Sequence, residues 1–90
     1  MSKTMTVEGY IDVPQADLAK VKAALAEHLR LTRAEPGCLR FEVTPSDQPN
    51  RFDVFEVFAD QAAFDRHQTR VKQSDWGKIT QNVKRHYQIS

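Results

Sequence analysis

Residues 35–43 read EPGCLRFEV, and the fold turns on them. Pro36 biases Glu35 away from helical angles and has no N–H to give to a helix. Gly37 takes positive φ at almost no cost. Together they end any helix that precedes them and turn the chain sharply. Beyond the turn the side chains alternate. Leu39, Phe41 and Val43 are expected on one face of a strand, and Cys38, Arg40, Glu42 and Thr44 on the other.

Upstream, Leu18, Val21, Leu25, Leu29 and Thr32 recur at threes and fours, and Ala23, Ala24 and Ala26 add helix propensity. The spacing predicts a helix from Gln15 to about Ala34. Pro14 suits its first turn, and Asp17 meets the positive end of the helix dipole. Before it, Met5, Val7, Gly9, Ile11 and Val13 alternate with Thr6, Glu8, Tyr10 and Asp12, which predicts a strand.

Downstream, Pro45 to Asn50 is dense in turn formers. A third strand follows, with Phe52, Val54, Glu56 and Phe58 on one side and Asp53, Phe55 and Val57 on the other. It should pair with the second strand as a hairpin. Asp60 is the expected cap of a second helix carrying Phe64, His67, Gln68 and Val71 on one stripe. Ser74 is the expected cap of a short helix with Trp76 and Ile79, which could extend to Val83. The end, VKRHYQI, alternates as a fourth strand.

The order is β-α-β-β-α-β, with the second helical region broken in two. It predicts an α+β, ferredoxin-like antiparallel sheet with helices on one face, a single domain over residues 1–90. The other sheet face is left bare, and a chain this short has a thin core. A second copy of the chain is the simplest cover, so a homodimer is expected.

Composition narrows the function. The 13 basic and 12 acidic residues nearly cancel, which argues against a nucleic-acid groove. The start, Met1-Ser2-Lys3-Thr4, lacks a secretory apolar core, and no segment is long enough to span a bilayer. A cytoplasmic protein is the default. The single cysteine, Cys38, forms no internal disulfide and is expected as a small buried residue. The three histidines show no His-x-x-x-His pair, so no metal site is expected.

EPGCLRFEV, then RFDVFEVFADQAAFDRHQ, then a short helix with an aromatic residue, resembles the antibiotic biosynthesis monooxygenase domain, the group that includes quinol monooxygenases. Glu35-Pro36-Gly37-Cys38 and the run Glu56, Ala59-Asp60, Ala62-Ala63-Phe64, His67 carry the likeness. It implies a dimeric α+β barrel. It also implies a cofactor-independent monooxygenase that oxidises a quinol or polyphenol with molecular oxygen, using neither metal nor flavin. Other members degrade haem, and many have no established activity. The stretch QTRVKQSDW sets His67 further from Trp76 than the resemblance implies, so a rearranged second helix is expected.

Cofactor-free oxygenation asks for an apolar pocket, a base and a few donors. His67 is the first candidate base, with a side chain that titrates near neutrality; otherwise it is a solvated or carbonyl-bonded helix-edge histidine. Glu56, mid-strand among apolar neighbours, either supports His67, acts as base itself, or pairs with Arg40 or a partner chain. Trp76 and Tyr10 are candidate platforms for a planar substrate. The alternatives are plain core for Trp76 and a dimer contact for Tyr10. His28 either lines the same cavity or is a satisfied buried polar group. Arg40 either holds a phenolate oxygen or pairs with Glu42 or Glu56. Two rival functions remain at this stage. One is a non-catalytic dimer that binds a small aromatic ligand. The other is a haem protein using His67 as ligand, although Thr6, Glu8 and Tyr10 stand where an amide donor would be wanted.

Overall fold

The computed structural model describes residues 4–90; Met1, Ser2 and Lys3, part of the N-terminal reading above, lie outside them. Strand β1 spans Met5–Asp12, helix α1 Leu18–Arg33, β2 Cys38–Pro45 and β3 Arg51–Phe58. Helix α2 spans Gln61–Lys72, α3 Asp75–Ile79 and β4 Lys84–Ile89. The four strands form one sheet in the order β2-β3-β1-β4, with every neighbouring pair antiparallel. This is the ferredoxin-like plan.

The first helix begins more gradually than its periodicity suggests. Pro14 stays extended, at φ −56° and ψ 140°, and a single 3-10 turn, Gln15–Asp17, leads into α1. The other end stops where Pro36 dictates. Glu35 N–H donates to the Thr32 carbonyl at 3.0 Å, and Cys38 N–H donates back to the Glu35 carbonyl at 3.1 Å. Gly37 sits at φ +89°, and a Cβ there would lie 2.6 Å from the Ala63 Cβ. Both the backbone angle and the contact with α2 call for glycine.

One expectation on β2 is corrected. Cys38 pairs with Phe58, but the next residue of β3, Val57, pairs with Arg40, so Leu39 is the extra residue of a β-bulge. The bulge shifts alternation by one residue. Cys38 therefore packs against the core, whereas Leu39 is 60% exposed instead of sharing a face with Phe41 and Val43.

The core lies between the sheet and the helices. Val7 and Ile11 of β1, Phe41 and Val43 of β2, and Phe52, Val54 and Phe58 of β3 face Val21, Ala63, Phe64 and Trp76. Phe58 is wholly buried. The second helical region is split as expected, with α2 capped by Asp60 and α3 by Ser74. The opposite sheet face is not covered by helices. There Arg51 stacks over Tyr10 at 3.9 Å, Tyr10 stacks on His86 at 4.7 Å, and Arg40 lies over Phe55 at 4.8 Å. Among the described residues no helix is long and apolar enough to cross a membrane.

Candidate functional site

A cavity of about 470 Å³ opens between the sheet and the three helices. Its floor is apolar, with Val7, Ile11, Phe41, Val43 and Val54. Its polar groups come from separate elements: His28 from α1, Glu56 from β3, His67, Gln68 and Lys72 from α2, Thr80 and Gln81 after α3, and Arg85 and Tyr87 from β4.

His67 owes its place to the start of α2. Asp60 accepts the Ala63 N–H at 2.8 Å and fixes where the helix begins. Ala63, Phe64 and His67 then share the buried face at helical spacing. The His67 ring lies 4.9 Å from that of Phe58 and 5.5 Å from that of Phe41. Its Nδ1 is 2.9 Å from Glu35 Oε2, and its Nε2 is 4.0 Å from Glu56 Oε1. Burial lowers its pKa, while the hydrogen bond and charge of Glu35 partly oppose that.

Glu56 stands opposite Val7 on one neighbouring strand and Phe41 on the other, so the sheet pleat aims it at the helices. It is buried there. Desolvation, and then the negative charge of Glu35, push its carboxyl up to about 7, with Arg85 opposing. A group with that value exchanges a proton readily at neutral pH.

The corner between α2 and α3 sets Trp76. Ser74 Oγ accepts the Gly77 N–H at 3.2 Å and donates to the Val71 carbonyl at 2.7 Å. A Cβ on Gly77 would lie 2.2 Å from that same carbonyl, so the corner closes only around glycine. Trp76 thereby stacks on His28, with centroids 4.3 Å apart and planes 4° from parallel. His28 is buried, and its Nδ1 has no hydrogen-bond partner among the described residues. Desolvation, followed by His67, Arg70 and Arg85, pushes its pKa down to about 3, so the ring is neutral.

On the open side, Arg85 Nη2 donates to Thr80 Oγ1 at 2.8 Å, and Thr80 Oγ1 donates to the Trp76 carbonyl at 2.6 Å. Burial, then the charge of Glu56, raise the Tyr87 hydroxyl to about 12 and keep it a donor.

Of the six residues singled out from sequence, His67, Glu56, Trp76 and His28 line this one cavity. Tyr10 and Arg40 do not. Their positions in the pleat put them on the uncovered sheet face, where Arg40 pairs with Glu42 rather than with Glu56. Glu35, Arg85 and Tyr87 were not singled out. Arg85 and Tyr87 share alternation with Ile89, which was the available signal; Glu35 was read as the residue before a proline and as part of the stretch that carries the resemblance, with no role in the site. Chemically, the site offers a flat ring platform, two groups able to accept a proton, and a guanidinium. Among the described residues no cluster of three His, Cys, Asp or Glu side chains is arranged to hold a metal ion.

Several solved structures share this architecture. MupZ from Pseudomonas fluorescens superposes with a TM-score of 0.79 at 22% identity, over 99% of this chain and 68% of that one. SnoaB, a cofactor-independent oxygenase from Streptomyces nogalater, gives 0.80 at 16% identity, over 99% and 92%. A putative antibiotic biosynthesis monooxygenase from Nitrosomonas europaea gives 0.76 at 19%, over 100% and 88%. At these identities the likeness speaks for the fold. No curated protein matches the sequence. The family model described as antibiotic biosynthesis monooxygenase matches residues 4–78, which hold β1 to β3 and, but for Ile79, the three helices, and the chain belongs to that family.

Proposed function

We propose that the chain binds a planar phenolic or quinol-like compound in this cavity and oxygenates it with molecular oxygen, with neither metal nor flavin. The observation that carries the reading is Glu56, poised near neutrality beside His67 Nε2 in an apolar cavity floored by Phe41 and walled by Trp76. Family membership and the fold shared with a cofactor-independent oxygenase support it.

His67, assisted by Glu56, removes the proton of the aromatic hydroxyl. The phenolate gives one electron to dioxygen, and the radical pair joins to form a C–O bond at an electron-rich ring carbon. Protonation of the peroxide oxygen and loss of that carbon's hydrogen cleave the O–O bond. Water leaves, and a carbonyl remains. One dioxygen thus converts a ring C–H into C=O plus water. Arg85 is suited to the oxyanion, and the apolar floor excludes water.

The proposal includes a homodimer in the cytoplasm. The uncovered sheet face carries Tyr10, Phe55 and Val57 beside Arg40 and Arg51, a mixed apolar and charged surface suited to a second copy. The unpaired Cys38 fits a reducing compartment.

The test is oxygen consumption with a panel of quinols and polyphenols, aerobic against anaerobic. Product should form only with oxygen. His67→Gln should lower kcat about 10²-fold or more. The rate should climb as pH rises through about 7, and Glu56→Gln should remove that limb. Equal product without oxygen refutes the oxygenase reading, and tight aromatic binding with no oxygen uptake replaces it with a binding role.

A further inference from the structure

We infer that Glu35 is the positioning residue of this site: it fixes His67 as the Nδ1–H tautomer, so that the bare Nε2 faces Glu56 and the cavity. The inference rests on the reading above that His67 receives the substrate's proton.

Glu35 Oε2 lies 2.9 Å from His67 Nδ1 and 2.8 Å from Arg70 Nε. The guanidinium can only donate, so the carboxylate oxygen shared by the two groups acts as acceptor. His67 must therefore place its proton on Nδ1. In the neutral ring, Nε2 is then left as the acceptor, 4.0 Å from Glu56 Oε1. With the other tautomer, two lone pairs would face each other at Glu35.

Glu35 is itself held. Arg70 Nη2 donates to Thr32 Oγ1 at 2.9 Å, tying α2 to the last turn of α1. Thr32 is fully buried and the Glu35 carboxylate nearly so, at 13% exposure. The helix stop sets the backbone, because the Pro36–Gly37 turn brings Glu35 out of α1 beside α2. The Glu-Pro-Gly stretch thus has a role beyond ending a helix: it delivers the carboxylate that orients the base.

The charged and titratable groups around the His67 ring are Glu35 after α1, His28 on α1, Glu56 on β3 and Arg70 on α2. Of these, Glu35 is the group that raises the proton affinity of the ring, against the effect of burial.

The test is long-range proton–nitrogen NMR of the histidine rings in the full chain without substrate, followed through a pH titration. Wild-type His67 should show Nδ1 protonated and Nε2 bare. In Glu35→Gln, whose amide presents either an acceptor or a donor, the single-tautomer signal should be lost and the pKa of His67 should fall. The kcat should drop about tenfold or more, with KM within about twofold. Wild-type His67 protonated on Nε2 overturns the inference, and needs no folded variant. So does a folded Glu35→Gln protein with unchanged tautomer and pKa. If the tautomer behaves as stated but no substrate consumes oxygen, the oxygenase reading falls and the role of Glu35 in orienting the ring stands. If oxygen is consumed with Glu35→Gln equal to wild type in tautomer and kcat, the reverse holds.

Discussion

The rings of His28 and Trp76 lie plane on plane, 4.3 Å between centroids and 4° from parallel. They come from different helices, and the contact closes one wall of the cavity. A protonated imidazole there would need solvent or an anion, and burial supplies neither; the ring stays neutral. Trp76 is also the chain's one tryptophan, so its fluorescence reports directly on the wall. A flat aromatic ligand in the cavity should quench it. Trp76→Ala removes a large buried side chain and should cost about 3–5 kcal/mol in denaturant unfolding. Trp76→Phe, which keeps an aromatic face, should cost less and retain most ligand affinity. Equal affinity in a folded Trp76→Ala protein would take Trp76 out of the binding wall.

His28 and Glu56, both buried, have opposite linkage to folding. The pKa of His28 is about 3 when folded against an ordinary 6.5. The unfolded chain thus binds the extra proton between those values, and His28 makes stability fall as pH drops from 6.5 toward 3. The carboxyl of Glu56 stands at about 7 when folded against 4.5. Here the folded chain holds the extra proton, so stability is lost as pH rises from 4.5 to 7. Between 4.5 and 6.5 the two slopes oppose each other, each at most about 1.4 kcal/mol per pH unit. In the wild type these two contributions should nearly cancel across that window. Glu56→Gln should leave a curve that climbs with pH, and His28→Phe one that descends. Urea unfolding at half-unit intervals measures all three, and matching slopes in the two variants would contradict the assignment.

The turn at Gly37 combines two demands that can be separated. Its φ of +89° disfavours any side chain, and an added Cβ would lie 2.6 Å from the Ala63 Cβ. Gly37→Ala should therefore destabilise by more than about 1 kcal/mol. Adding Ala63→Gly removes the clash but leaves the backbone strain, so the double variant should recover the steric part only, after allowing for the helix cost of glycine at residue 63. A Gly37→Ala protein as stable as wild type would contradict the turn geometry.

This turn also shows how far the sequence could be read. The stop after α1 was legible because proline and glycine act through their own backbones. The caps Asp60 and Ser74 were legible for the same reason, since each serves an N–H only three residues away. His67, Glu56, Trp76 and His28 were within reach because helical spacing and strand alternation each pointed them toward the same core. Leu39 was misplaced because a bulge leaves no mark in an alternating pattern: nothing local says that two residues of β2 will face one of β3. Tyr10 and Arg40 were chosen for chemistry and not for facing, although the alternation already set Tyr10 apart from Val7 and Ile11. Glu35 was the hardest to see. Its partners, His67 and Arg70, lie 32 and 35 residues away, and only the closing of α1 against α2 brings them together.

The uncovered sheet face yields the last prediction. Phe55 and Val57 project from β3 away from the helices, opposite Glu42 and Arg40 of β2 and Glu8 and Thr6 of β1. Several charged neighbours are already engaged: Arg51 with Asp12, Arg40 with Glu42, and His86 stacked on Tyr10. Internal pairing of this kind lowers the cost of burying the face against a copy of itself, because fewer charges are left without a partner. If two sheets meet here, Val57→Glu places like charges near a two-fold axis and removes apolar contact area. The expected result is a dimer for wild type and a monomer for Val57→Glu by sedimentation at micromolar concentration, with the same circular dichroism for both. Val57→Leu should leave the dimer intact. Wild type that sediments as a monomer would remove the homodimer, and a Val57→Glu dimer as tight as wild type would move the contact to another surface.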